Sequence, residues 1–197
     1  MRLVRLSAAI AVAAAVLLVP VAASADSTLR TDPVGDVQSF RLEDQSEIPT
    51  PTAEPLRTIG DIYKGRITHS TTSVRVEVYY RALPKSGLFN LHQFRFKTSK
   101  LTRDLSIGAG AGGWAGEATM YYASGTEYPC RGLRFLIDYP NKRVIANVPR
   151  ACLGNPSFVK VGFGFASYTQ DKVYLDDGQI ADSNGDDLVL SPGVYKT

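Results

Sequence analysis

Beyond the first 25 residues, no long segment keeps the 3.6-residue apolar repeat of an amphipathic helix, whereas period two recurs throughout. Val74, Val76, Val78 and Tyr80 alternate with Arg75, Glu77, Tyr79 and Arg81. His92, Phe94 and Phe96 alternate with Gln93, Arg95 and Lys97. Leu133, Phe135 and Ile137 do the same, and so do Val159, Val161, Phe163 and Phe165. Side chains on a strand point alternately to its two faces, so each pattern describes a strand with one buried and one wet side. That is the signature of antiparallel sheets.

Shorter runs at 61–68, 119–122, 144–148, 173–175 and 188–190 bring the expected count to about nine strands. Turn residues separate them, as in Leu83-Pro84-Lys85-Ser86-Gly87 and Asp182-Ser183-Asn184-Gly185. With no crossover helices, the expected fold is all-β: an antiparallel, jelly-roll-like β-sandwich, with a closed barrel as the alternative. Two stretches fit no strand. Residues 38–57 are polar and carry Pro49, Pro51 and Pro55, which predicts a flexible surface insertion. Gly108 to Gly116 reads as a mobile loop or a strand edge that displays Trp114.

The first 25 residues read as a secretory signal peptide. Arg2 and Arg5 precede an apolar run from Ala8 to Val21 that is short for a bilayer span, and Ala23-Ser24-Ala25 supplies a small-x-small cleavage site. The expectation is a single domain over 26–197, secreted, with no membrane span in the mature chain. The leader holds two of the 22 basic residues and none of the 19 acidic ones. The remainder is therefore close to neutral at net +1, which argues against a nucleic-acid partner. Two cysteines, Cys130 and Cys152, are expected to pair in an oxidising compartment.

The order of these signals resembles a known layout. Thr31-Asp32-Pro33-Val34-Gly35-Asp36-Val37 leads to Gly60-Asp61-Ile62, then to a strand ending in His69 and the alternating Val74–Tyr80 strand. Later, Val148-Pro149-Arg150-Ala151-Cys152-Leu153-Gly154-Asn155-Pro156 leads into the Phe158–Phe165 strand. This layout resembles small secreted β-sandwich proteins of actinobacteria and, more distantly, family 9 carbohydrate-binding modules and DOMON domains. The resemblance implies a ligand-binding sandwich, with sugar as the ligand in one branch and haem in the other. The haem branch uses Met and His as axial ligands, here Met120 with His69 or His92. The resemblance transfers no individual sugar-binding residue.

The segment 176–187 holds five carboxylates in twelve residues, around Asp182-Ser183-Asn184-Gly185-Asp186-Asp187. Oxygen ligands at alternate positions about a glycine turn suit a hard cation such as Ca²⁺. Asp182, Asn184, Asp186 and Asp187 are therefore candidate metal ligands, although Gly193 stands where a full EF-type loop has Glu. The alternative is a well-solvated acidic turn. Asp32, Asp36 and Asp61 form a second acidic group at the start of the domain, placed to join the C-terminal acids if the first and last strands are neighbours.

Trp114, Tyr121 and Tyr122 are the candidate ligand-binding aromatics, because aromatic faces stack on sugar rings; core packing is their other explanation. His92 shares a face with Phe94 and Phe96 and reads as a packed histidine. No nucleophile elbow or HExxH motif is present, and Gly108-x-Gly110-x-Gly112 has no helix after it to make a phosphate site, so no catalytic residue is assigned. Three functions remain. The leading one is a secreted, non-catalytic sandwich that binds an extracellular ligand or partner such as a glycan, with calcium support. The others are a stand-alone carbohydrate-binding module and a small hydrolase whose carboxylates meet only in the fold.

Overall fold

A computed structural model of the chain describes residues 26–42, 51–178 and 188–197. Residues 1–25, where the sequence predicts a signal peptide, lie outside these. The described residues build an antiparallel β-sandwich. One sheet has five strands in the order β1 (Asp26–Thr31), β4 (Ile62–His69), β5 (Ser73–Tyr80), β10 (Arg143–Pro149) and β9 (Arg134–Asp138). The other runs β3 (Thr52–Ala53), β2 (Gln38–Arg41), β12 (Lys172–Asp177), β11 (Phe158–Tyr168), β6 (Phe89–Lys97), β7 (Thr102–Gly110) and β8 (Glu117–Tyr122). A short β13 (Val194–Tyr195) also pairs with β11. Among the described residues no helix is long and apolar enough to cross a membrane.

The alternating positions meet in one core. Val74, Val76, Val78 and Tyr80 of β5 pack in a single cluster with Phe94 and Phe96 of β6 and Val159, Val161, Phe163 and Phe165 of β11. Contact between the sheets is close: a Cβ on Gly65 of β4 would stand 2.2 Å from the Phe163 ring of β11. Cys130, between β8 and β9, is bonded to Cys152 in a 3-10 turn (Arg150–Leu153) after β10. The bridge thereby ties the crossover between the sheets to the five-stranded layer.

Eight of the expected strands are present, and five more appear where the sequence is polar, short or glycine-rich. The 38–57 stretch is not a uniform loop. At its described ends, β2 and β3 pair with each other, and β2 also pairs with β12. The polar side chains are satisfied by tertiary partners: the Ser39 hydroxyl donates to Glu54 at 2.8 Å, and Lys172 pairs with the same carboxylate at 3.0 Å. Residues 43–50 lie outside the described residues.

The glycine-rich run continues strand β7 as far as Gly110. Gly108 makes room for the Phe89 ring, which a Cβ there would approach to 2.6 Å, and Gly110 for the Leu88 carbonyl oxygen, at 2.5 Å. Leu188 to Leu190 is not a strand. It lies across Gly162 and Gly164 of β11, and the Ser191 hydroxyl beyond it accepts the Val161 amide at 3.0 Å.

Candidate metal centre

The chain leaves β1 at Thr31 and turns through Asp32-Pro33-Val34-Gly35-Asp36 before entering β2. The Asp32 amide donates to the Tyr63 carbonyl at 3.2 Å, which fixes the turn against β4. Gly35 takes φ +80°, a region other residues rarely adopt, and its amide donates to Asp61 Oδ2 at 2.9 Å. Asp61 immediately precedes β4 and is fully buried; Arg81, just after β5, donates to the same Oδ2 at 2.9 Å. From the far sheet, Asp176 of β12 accepts the Ile62 amide on Oδ2 at 2.6 Å.

These contacts gather five carboxylates from three parts of the sequence. Asp32, Asp61, Asp176 and Asp177 are each less than a tenth exposed, and Asp36 is half-buried. One carboxylate oxygen from each of Asp32, Asp36 and Asp176 lies within 4.8 Å of the other two, so the three could hold a metal ion. Both oxygens of Asp32, both of Asp36 and Oδ1 of Asp61 are buried and accept no hydrogen bond. A buried acceptor without a donor is costly, and a buried anion without a counter-charge more so.

The electrostatics follow from the crowding. Burial pushes the Asp32 carboxyl up to about 9, and the charges of Asp176, Asp36, Asp177 and Asp61 push the same way. Burial also raises Asp176 to about 9; the Ile62 amide opposes this, while Asp36, Asp61 and Asp177 reinforce it. Asp36, less enclosed, rises to about 6, again chiefly through burial. Arg81 pairs with the group through Asp61, which holds its guanidinium.

The sequence-derived candidates separate. Asp32 and Asp36 meet Asp176, whereas Asp182, Asn184, Asp186 and Asp187 lie outside the described residues. Trp114 is half-buried, packed edge-on to Tyr139 with centroids 6.3 Å apart, and its carbonyl accepts the Tyr139 hydroxyl at 2.9 Å. It is a packing residue more than a displayed one. Tyr121 and Tyr122, as neighbours on β8, face opposite ways. Tyr121 lines an outer groove of about 660 Å³ with Phe89, Ser106 and Thr119. Tyr122 packs against Tyr128, with the Arg103 guanidinium 4.4 and 4.3 Å from the two rings. The three aromatics form no common platform.

His92 is buried, its Nδ1 2.9 Å from the Tyr80 hydroxyl, and burial lowers it to about 3. His69 is buried with Nδ1 3.0 Å from the Val194 carbonyl. The residue hardest to identify as part of the site was Asp176. It ends a strand pattern, and only the pairing of the two sheets brings it to Asp32. Comparison with family models, curated proteins and solved structures finds no match for the chain.

Proposed function

We propose that the protein is an exported, non-catalytic β-sandwich that binds a ligand or partner outside the cell, its fold locked by a calcium ion held by Asp32, Asp36 and Asp176. The observation that carries the metal part is Asp32, an almost fully buried carboxylate with no donor on either oxygen, facing other acids. A cation at that point supplies the missing partner to Asp32 and Asp36 and cancels the repulsion. Calcium suits the donor set, which is all oxygen. At Ca–O distances of about 2.3–2.6 Å, ligands on opposite sides of the ion stand roughly 4.6–5.2 Å apart, a span that accommodates this triad. Magnesium, at about 2.0–2.1 Å and reluctant to shed water, suits it less. A thiolate- or imidazole-seeking metal finds neither ligand here.

The same burial weighs against a hydrolase that uses this carboxylate group. Asp32 and Asp176 are 8% and 5% exposed, so little of either carboxylate is open to a substrate. The groove on the outer face of β6, β7 and β8 supports carbohydrate as a second reading. Phe89 and Tyr121 offer aromatic surface there, and Ser106 and Thr119 offer hydroxyls.

The test of the cation reading is a calorimetric titration of EDTA-stripped protein with calcium and, separately, with magnesium. Saturable calcium binding at one site, with protons released, supports the reading. Absence of heat in every buffer, together with an unchanged melting temperature, removes it.

A further inference from the structure

The outer face of the five-stranded sheet has a charge pattern that the cation site does not explain. Cross-strand pairing arranges its outward positions in three rows. The first is Thr31, Lys64, Tyr79, Arg143 and Asp138; the second is Leu29, Arg66, Glu77, Ile145 and Leu136; the third is Ser27, Thr68, Arg75, Asn147 and Arg134. The intervening residues, among them Val74, Val76, Val78, Val144 and Val148, are buried in the core, so these rows face away from it.

Five of the fifteen positions are cations and two are acids. Both acids are withdrawn beneath arginines. The Glu77 side chain is 11% exposed and pairs with Arg75 and Arg143; that of Asp138 is 12% exposed and pairs with Arg143. The Arg75 side chain, by contrast, is 45% exposed. Lys64, Arg66 and Arg134 form no ion pair among the described residues, and Arg66 and Arg134 are exposed. The charge this face exposes is therefore cationic, with Leu29 and Leu136, 54% and 51% exposed, standing among the cations. In a chain with 22 basic and 19 acidic residues, that reflects segregation of charge and not excess of it.

We propose that this face docks an anionic polysaccharide. Guanidinium groups present planar, forked donors that match carboxylate and sulfate oxygens. Strands about 4.8 Å apart and same-face residues about 6.7 Å apart place Arg66 on β4 roughly 16 Å from Arg134 on β9, so the cations span a few sugar units of a chain lying flat. The form of the face favours this occupant over nucleic acid. It is a flat sheet without a helix or protruding ribbon to enter a duplex groove. Its aromatics, Tyr63 and Tyr79, are engaged by Lys64, with Nζ 5.5 and 4.2 Å from the ring centroids, and do not form the open stacking row that single strands require. The proposal rests on the binding-module reading and is independent of the cation site.

The test is native gel retardation of the purified protein in chondroitin sulfate, in neutral dextran, and in competition with duplex DNA of equal charge, each across a salt series. Chondroitin sulfate should retard the protein and dextran should not. Arg66→Gln with Arg134→Gln should weaken binding about tenfold and flatten its salt dependence. Lys97→Gln with Lys160→Gln removes the same charge from the opposite sheet, where the two lysines are cross-strand neighbours, and should leave binding within about twofold. If the arginine pair fails to fold, Arg134→Gln alone, on the edge strand β9, reads part of the same loss.

Equal weakening by both pairs, no retardation by chondroitin sulfate, or stronger binding to DNA overturns the proposal. The recovered polysaccharide should keep its length. Shortening would overturn the non-catalytic reading instead, and neither result bears on the calcium titration.

Discussion

The Ile62 amide donates to Asp176 Oδ2 at 2.6 Å across 114 residues of sequence. The bond joins the start of β4 in one sheet to the end of β12 in the other, so the carboxylate that holds the sheets together is also a member of the acidic group. The two roles can be separated. Asp176→Asn keeps an oxygen for the Ile62 amide and removes the charge. Without a cation the variant should be at least as stable as the parent, and its advantage should grow as pH rises, because Asn has no proton to retain. In calcium the order should reverse. Thermal melting in EDTA and in calcium checks both halves, and a variant equally destabilised in both would make Asp176 a purely structural residue.

The pH dependence has a definite sign. Asp32 and Asp176, raised to about 9 by burial, hold protons in the cation-free fold that the unfolded chain has already lost above about pH 4. The native state then binds more protons than the unfolded state, so cation-free stability falls as pH rises and levels off above about 9. Asp36, at about 6, has completed its share by neutral pH. His92, lowered to about 3, is neutral in both states above pH 7 and does not contribute in that range. Between pH 7 and 9, melting in EDTA should therefore decline by up to about 1.4 kcal/mol per pH unit for each proton retained. Calcium affinity should rise over the same interval, since the ion displaces those protons. Denaturant midpoints in EDTA at the two ends of the window, with calcium titrations beside them, test the sign.

Arg81 and Asp61 supply a third test. Asp61 is fully buried and accepts both Gly35 N–H and the Arg81 guanidinium on one oxygen. Arg81→Gln leaves the carboxylate with its backbone donor but without its counter-charge, which should cost about 2–4 kcal/mol. Urea denaturation measures it, and a change below about 0.5 kcal/mol would mean that the pair contributes little.

The disulfide is expected to matter thermodynamically. Cys130 and Cys152 are 22 residues apart, and closing a loop of that size is worth about 3 kcal/mol in the chain-entropy model. Thiol labelling of the unfolded, unreduced protein should find no free cysteine. The Cys130→Ser, Cys152→Ser double variant should lose stability by about that amount in denaturant titration.

Sheet architecture was readable where alternation was strong, as in Val74–Tyr80 and Val159–Phe165, because one residue in two must face the core. It was not readable in β1, which is polar at an edge, or in β7, where Gly108 is explained by the Phe89 ring lying across it and Gly110 by the Leu88 carbonyl. In the same way β2 owes its strand state to its pairing with β12. Within the site, the turn at Asp32, Gly35 and Asp36 was visible from residue types alone. Asp176 could be counted among the C-terminal acids, but its approach to Asp32 depends on sheet pairing and not on local sequence. The basic outer face was hidden by a near-neutral total charge, since only cross-strand register places Arg66, Arg75 and Arg134 together.

The central claim is that a cation completes the buried carboxylate group around Asp32, and the most direct measurement is the melting temperature of the protein and of Asp32→Asn across a calcium titration begun in EDTA. A ligand of the folded state raises stability as RT ln(1 + [L]/Kd). The account predicts a concentration-dependent rise in the parent, weaker with magnesium, and little or no rise in Asp32→Asn. A parent that does not respond to calcium, or a variant that responds equally, would contradict it.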